Sequence, residues 1–428
     1  IDPNKEIVGI ATMTWSLGGL LLCSAVLIMF DRAAVSRKKQ KELSKAIKDL
    51  GHQVDVISGP PYPKLADNIK LIKTPGLNLF ESFSLKDRWK KFTSKKGKKF
   101  DDYYEFFVAL FGGFPEMRTF GNRAQKIINS SDYDVLFDNQ SISYGILKLQ
   151  NLIPLIEVIH HPITRDKHYE IFYAKKFSQK ILIRSWYSFL RMQKKVAIKL
   201  NTVVTPSSNS KKDIMNDFKV SGERIHVIHN GIDTISFTPK PHLRQYSQRI
   251  ITTASADVPL KGLDFTLKAV SKLKHEFNDI KLIIIGNPRS GGHTERLIQK
   301  LEIFDRVSFK TNLTKDEIAA EYARSQIAVV SSLYEGFGFP VGEAMACSVP
   351  LIATDIASIP EITDRYAELV NAEDADQIAD AIKKILGNYE TYFERAKLGR
   401  EHILKNFNWK NIALEYIDLA NELTYPKC

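Results

Sequence analysis

"YEGFGFPVGEAMAC", residues 334–347, follows the apolar run "IAVVSS" and holds Glu335 and Glu343 apart across a glycine-rich turn and a proline. The run reads as a strand, "LYEGFG" as a turn, and Pro340 suits the first position of a helix. Phe339 is then the N-cap, and it has no side-chain oxygen with which to cap. The amides of Phe339, Val341 and Gly342 are left as donors, aimed outward with the positive end of the helix dipole. A helix start of that kind, beside Gly336, Phe337 and Gly338, suits a phosphate. Glu335 lies in the turn and Glu343 in the first helical turn, one on each side of the anion. Singly, they read as a solvated loop acid and an ordinary first-turn acid. Together with the glycines and the proline they fit a ligand carrying hydroxyls at both ends of a phosphate bridge. A desolvated carboxylate accepts such hydroxyls for roughly 1.5–3 kcal/mol per bond. A nucleotide sugar, with ribose, diphosphate and hexose in sequence, is a ligand of that form.

Outward from this stretch, short β-branched runs alternate with helical spacing almost throughout. Strands are expected at residues 53–58, 69–74, 134–138, 155–160 and 202–206 in the first half. In the second half they are expected at 250–254, 281–286, 327–331 and 350–354. Several are continuous apolar runs, as in strands covered on both faces. Residues 263–277 and 315–325 have helical spacing between them. Strand, helix, strand repeated twice over predicts an α/β chain of two doubly wound parallel-sheet domains. We place the first at 1–222, the second at 223–407, and a helix packing back across both in 408–428. Such sheets bind ligands beyond the carboxyl ends of their strands, where the winding reverses.

The chain has 428 residues, enough for two or three domains, and a net charge of +12 that favours an anionic partner. Cys23, Cys347 and Cys428 are too scattered for a disulfide framework or a metal cluster, which suits a reducing compartment. Residues 7–30 carry no charge and are followed by Arg32, Arg37, Lys38, Lys39 and Lys41. That run is long enough for a membrane anchor and has the basic flank of one. No basic segment precedes it, which argues against a signal peptide. The cluster "KDRWKKFTSKKGKKF" at 86–100 interleaves aromatics with lysines, as a solvated loop or as a face for anionic lipid. No nucleic-acid-binding motif accompanies it.

"EGFGFPVGEAMACSVPLIATD" closely resembles the Glu-x7-Glu signature of glycosyltransferase family 4, retaining enzymes of the two-Rossmann GT-B fold. The likeness extends to "AIKDLGHQVDVISGPPYP", "PLIEVIHHPIT", "NTVVTPSSNSKKDI", "IHVIHNGIDTISF" and "SADVPLKGLDFTLKAV". The resemblance implies that Glu335 contacts donor-sugar hydroxyls, with the Gly336–Gly338 backbone around the sugar, and that Glu343 holds the ribose. It implies that Lys261 holds the donor diphosphate and that His160 lies against the donor sugar at the end of a strand. His161 is then expected to point the other way if the pleat continues. Ser207 and Asn230-Gly231 also match family positions, and read as a helix cap and a turn.

This chain departs from the family in three places. No arginine precedes Lys261 in "TTASADVPLKG", where the family has a second diphosphate clamp. Ser348 stands where a glycine is usual. The expected first strand, Gly-Gly loop and helix fall on "EIVGIATM", Gly18 and Gly19, and a helix that begins with 20–30. The implied activity is transfer of a hexosyl group from a nucleoside-diphosphate sugar to a hydroxyl, with no metal site and no cofactor. The same fold also carries phosphorylases and sugar-phosphate synthases. A basic membrane-binding protein is the reading of another class. A cytoplasmic chain peripheral to the membrane, with lipid-linked acceptors among the candidates, is the expected setting.

Overall fold

The computed structural model describes residues 25–30, 34–79, 82, 84–128, 132–174, 176–245, 247–254 and 257–425, with backbone alone for 25–40. Seven parallel strands form the first sheet: β1 (Ala25–Phe30), β2 (Gln53–Ser58), β3 (Lys70–Lys73), β4 (Val135–Asn139), β5 (Leu155–Val158), β6 (Val203–Thr205) and β7 (Ile225–Val227). Six more form the second: β8 (Arg249–Thr253), β9 (Lys281–Ile285), β10 (Val307–Lys310), β11 (Ile327–Val330), β12 (Leu351–Thr354) and β13 (Glu368–Val370). Their orders are β3-β2-β1-β4-β5-β6-β7 and β10-β9-β8-β11-β12-β13. Winding reverses between β1 and β4 in one sheet and between β8 and β11 in the other. Helices cover both faces of each, so central strands such as β4, β5, β11 and β12 are buried along their whole length.

Two expectations change. The division at 222/223 cuts off β7, which pairs with β6 through Val203–Ile225 and Thr205–Val227, so the first sheet continues to Val227. Residues 25–30, expected to open a long helix, are instead β1, paired with β2 and β4 in the middle of the sheet. An uncharged "AVLIMF" can be buried on both faces there, and the following helix, Ala34–Asp49, begins where charge begins. Gly18 and Gly19, expected in the first loop, lie outside the described residues. No helix among the described residues is long and apolar enough to cross a membrane.

The last two helices tie the domains together. Tyr389–Asn406 packs on the second domain, and the chain then crosses back beside the outward linker, where the Ile232 amide donates to the Phe407 carbonyl. Trp409–Thr424 buries Ile412, Ala413, Tyr416 and Ile417 among Val54, Val56 and Phe137 of the first sheet. Tyr416 is fully buried, its ring edge-on to Phe137 at 5.7 Å. Truncation of a buried aromatic typically costs about 3–5 kcal/mol. Tyr416→Ala is therefore expected to lower the unfolding free energy of the domain it packs on by that amount, read as a lower urea midpoint at unchanged m. An unchanged midpoint would show that this helix is not part of the first core.

Candidate active site

A cavity of about 350 Å³ lies between the domains, beyond the strand ends flanking both switch points. From the first domain it receives Asn139 at the end of β4 and Gln140 after it, and His160 and His161 after β5. From the second it receives Lys261 after β8 and residues 335–339 after β11. Glu335, Lys261, His160, Gly336, Phe337, Gly338 and Phe339 thus share one space. Glu343 does not line it. That carboxylate faces a smaller hollow with Glu42, Asp233 and Lys315, and Phe339 lines both spaces.

The helix Phe339–Ala346 starts one residue earlier than expected, with Gly338 as N-cap at φ +103°. Only glycine adopts such a φ readily. The early turn brings the Gly338 carbonyl within 3.0 Å of the Val341 amide and 3.3 Å of that of Gly342. Both amides are therefore satisfied inside the helix, and the Val341 side chain is buried in the core. The expectation that they serve an anion fails. What lines the cavity at this end is Gly338 and Phe339.

Charge is concentrated on Lys261 and Glu335, whose Nζ and Oε1 are 2.7 Å apart. The Ser332 hydroxyl donates to the same carboxylate oxygen at 2.8 Å. The Leu333 amide donates to the Leu260 carbonyl, which ties the lysine loop to the glutamate loop. Ser358 donates to the carbonyls of Glu335 and Phe337 and fixes the turn between them.

Across the cavity, β5 ends at Val158, so its pleat does not extend to the histidines and both face the space. His160 Nε2 lies 2.9 Å from Asn139 Oδ1. Gln140 holds the main chain on both sides, accepting from the His160 amide and donating to the His161 carbonyl, each at 2.9 Å. His161 Nε2 pairs with Asp166 Oδ2 at 2.9 Å. Burial opposes a charge on His161, but the Asp166 carboxylate, with help from Glu335, outweighs it and raises the imidazole pKa. The Asp166 pKa is lowered: burial works against this, and His161 overcomes it.

The domains touch directly here. Ser207 caps the helix Ser208–Phe218 through the Ser210 amide, and both serine hydroxyls donate to the Gly336 carbonyl at 3.0 and 3.1 Å. Tyr334 donates to Asp213, and Glu361 accepts from the Ser208 and Asn209 amides. Ser207 is thus a bridge as well as a cap. Asn230, read from sequence as part of a turn, lines the cavity with a buried Oδ1 that has no hydrogen-bond partner. Sequence reasoning missed Asn139, Gln140 and Asp166, and gave Asn230 only the place of a turn residue. Their only signal was a position just beyond a strand end, or one turn into the next helix. No group of three His, Cys, Asp or Glu that could hold a metal occurs among the described residues.

Residues 41–235 match the family described as Glycosyltransferase Family 4, and residues 235–402 match Glycosyl transferases group 1. The chain is 36% identical, over 88% of its length and 92% of the relative's, to an MMP alpha-(1->4)-mannosyltransferase of Mycolicibacterium hassiacum. It is 28% identical, over 57% of its length and 66% of the relative's, to the O-antigen chain mannosyltransferase RfbU of Salmonella typhimurium. Among solved structures it resembles a sucrose-phosphate synthase of Thermosynechococcus elongatus, with TM-score 0.70, 19% identity and 94% of this chain and 100% of that one covered. It also resembles Anabaena HepE in complex with UDP-glucose, with TM-score 0.66, 15% identity and coverage of 93% and 99%. The fold is GT-B, two Rossmann-like domains facing each other across a cleft. With its Glu-x7-Glu segment in that cleft and both halves of the chain matched, the protein is a glycosyltransferase and belongs to family 4.

Proposed function

We propose that the protein moves a hexosyl group from a nucleoside-diphosphate sugar to a hydroxyl acceptor with retention at the anomeric carbon, without a metal ion. The Lys261–Glu335 pair carries this reading. A cation and an acceptor are held together at the mouth of a switch-point cleft, and a sugar diphosphate supplies a partner for each. The diphosphate takes the ammonium, and the sugar hydroxyls take the carboxylate. In the reaction the bond from the anomeric carbon to the diphosphate oxygen breaks, and a bond to the acceptor oxygen forms on the same face. The acceptor proton passes to the departing phosphate. Lys261 stabilises the charge that grows on that phosphate, as preorganised donors do. Glu343 is assigned to the ribose and His160 to the donor sugar.

His161 supplies the second positive charge in place of the arginine this chain lacks. It shares the cavity with Lys261, and Asp166 holds it as imidazolium above the ordinary imidazole range. Because the folded-state pKa is raised, the stability this group adds is full below the ordinary imidazole value and is lost as pH rises through the raised one. Asp166, lowered, adds stability above the ordinary carboxyl value and loses it as pH falls through the lowered one. The pair is strongest between those limits.

Lys261→Ala is expected to lower turnover about 10²–10³-fold, and Glu335→Ala to abolish it, while a chelator leaves the native enzyme active. Full turnover in Glu335→Ala, or loss of native activity in chelator, would overturn the corresponding assignment. The His161 titration, followed by NMR, is expected above the ordinary imidazole midpoint and to fall in Asp166→Asn. Turnover should decline on the alkaline side with the same midpoint. An alkaline limb unmoved by Asp166→Asn would remove His161 from the mechanism.

A peripheral membrane setting is favoured by one surface. Helices Leu85–Ser94 and Phe100–Leu110 expose Leu85, Trp89, Phe100 and Phe107, and Phe111 follows them, 78% exposed. Lys86, Lys90, Lys96 and Lys99 are exposed on the same segment. Aromatics that enter the headgroup region beside lysines that meet anionic lipid suit an acceptor presented at a bilayer. Sedimentation with phosphatidylcholine vesicles should rise when phosphatidylglycerol is added and fall in Lys90→Glu/Lys96→Glu. Equal sedimentation of both proteins would exclude this face.

A further inference from the structure

A second cavity, of about 270 Å³, opens in the first domain outside the cleft, between helices Phe100–Leu110, Glu116–Ile127, Tyr144–Gln150 and Leu190–Ala197. Arg118, Arg191 and Lys195 line it with Tyr104 and Tyr144, and among the described residues no carboxylate does. The Arg118 guanidinium lies between the two tyrosine rings, 5.1 Å from one centroid and 5.5 Å from the other. That arrangement holds the guanidinium plane while leaving its N–H edge available. None of the three cations has an ion-pair partner among the described residues.

Acids are close in sequence but are used elsewhere. Glu105 takes Arg123, Thr119 and the Leu77 amide. Asp102 takes Lys95 and Arg123, and Asp101 takes Asn122 and Lys126. Asp101, Asp102 and Glu105 are thus committed to Arg123, Lys126 and Lys95 rather than to the cations of the cavity. An independent sign of the excess is Lys167, whose pKa is lowered by burial and then by Arg191, Arg184 and Lys194. Uncompensated cations around a concavity lined by tyrosines attract an anion.

We propose that this cavity is an anion subsite that takes a phosphoryl group carried by the acceptor, with the tyrosines against the adjoining sugar ring. Only the identification of the carrier as acceptor rests on the glycosyl-transfer reading. The same elements serve both spaces: Met117 lines the cleft and Arg118 the cavity, and the chain from Asn139 and Gln140 in the cleft runs on to Tyr144 in the cavity. Its volume is below the roughly 300–1,000 Å³ of pockets that enclose a whole small molecule. It suits one end of a larger ligand.

Inorganic phosphate, titrated calorimetrically at constant ionic strength in chloride, is the first probe. Binding is expected to survive Lys261→Ala and to weaken about tenfold or more in Arg118→Gln/Arg191→Gln/Lys195→Gln, while UDP and GDP binding stays unchanged. The charge-conserving Arg191→Lys should retain most of it, which separates lost charge from lost folding. With methyl hexosides and hexose phosphates as acceptors, the triple variant should raise KM for the phosphorylated compounds alone, with kcat unchanged. If its defect appears instead on phosphatidylglycerol vesicles, the phosphoryl group belongs to a lipid. Phosphate binding equal in the triple variant, or abolished by Lys261→Ala, would overturn the subsite. Failure of transfer with intact phosphate binding would overturn the glycosyl-transfer reading instead.

Discussion

The Gly336 carbonyl and the space beside its α-carbon set the geometry of the cleft. Two serine hydroxyls from the first domain converge on that oxygen. A side-chain carbon at Gly336 would fall 2.9 Å from His161 Nδ1 and 3.0 Å from the His160 carbonyl, so the imidazole would have to shift and the backbone contact would be tight. A residue without a side chain lets the β11 loop approach the β5 loop this closely with the His161 ring left in place. Once it does, Glu335 on one side of Gly336 and Phe337 on the other are both committed to the cavity. Lys261 follows because its loop is tied to Leu333. The glycine matters here for close approach, whereas Gly338 matters for the conformation that caps the helix. The two glycines of one turn therefore have different physical roles.

The cleft keeps its charges in pairs. Lys261 is held by Glu335 and His161 by Asp166, so neither cation is left uncompensated in a space that excludes much of the solvent. In the proposed reaction the first pair exchanges partners when a sugar diphosphate enters. That gives the site a form of specificity. An anion alone would take Lys261 and leave Glu335 desolvated without a partner, and a sugar alone would do the reverse. A ligand that carries both groups leaves neither unpaired, and buried unpaired charge is the costly outcome. The helix end contributes less than its sequence suggests, since Val341 and Gly342 spend their amides on Gly338. The electrostatic weight therefore rests on side chains.

What could be read from the sequence follows from how local the physics is. Glu335, Lys261 and His160 lie just past strand ends in stretches whose glycines and apolar runs mark those ends. The N-cap was misplaced by one residue because the φ of Gly338 depends on the turn it closes, which letters do not encode. Residues 25–30 read as helix from the sequence because residues 7–30 carry no charge, and periodicity cannot separate a doubly covered strand from a buried helix in such a run. Strand pairing with β2 and β4 makes that choice. β7 and β13 are each three residues long and carry no pattern of their own. The His161–Asp166 and Ser207–Gly336 contacts depend on where the next helix or the other domain lies, and no spacing rule reaches that far.

The least legible feature is also the deepest. Asp138 and Glu157 face each other in register on β4 and β5, both fully buried. Burial, and then the neighbouring Asp138 charge, push the Glu157 carboxyl well above its ordinary range. Burial raises the Asp138 carboxyl as well, so the pair resists ionising together. Asp138 accepts through Oδ2 from the Ser141 hydroxyl and from the amides of Ser141 and Ile142. Those bonds sustain a turn in which Gln140 and Ile142 both take positive φ, a strained state for residues with side chains. Gln140 is the residue that grips the main chain on both sides of the histidines. An apolar pair at 138 and 157 would pack at less cost but would leave that turn without its acceptor. A buried acid pair beneath the sheet therefore keeps the histidine side of the cleft in place without touching any ligand.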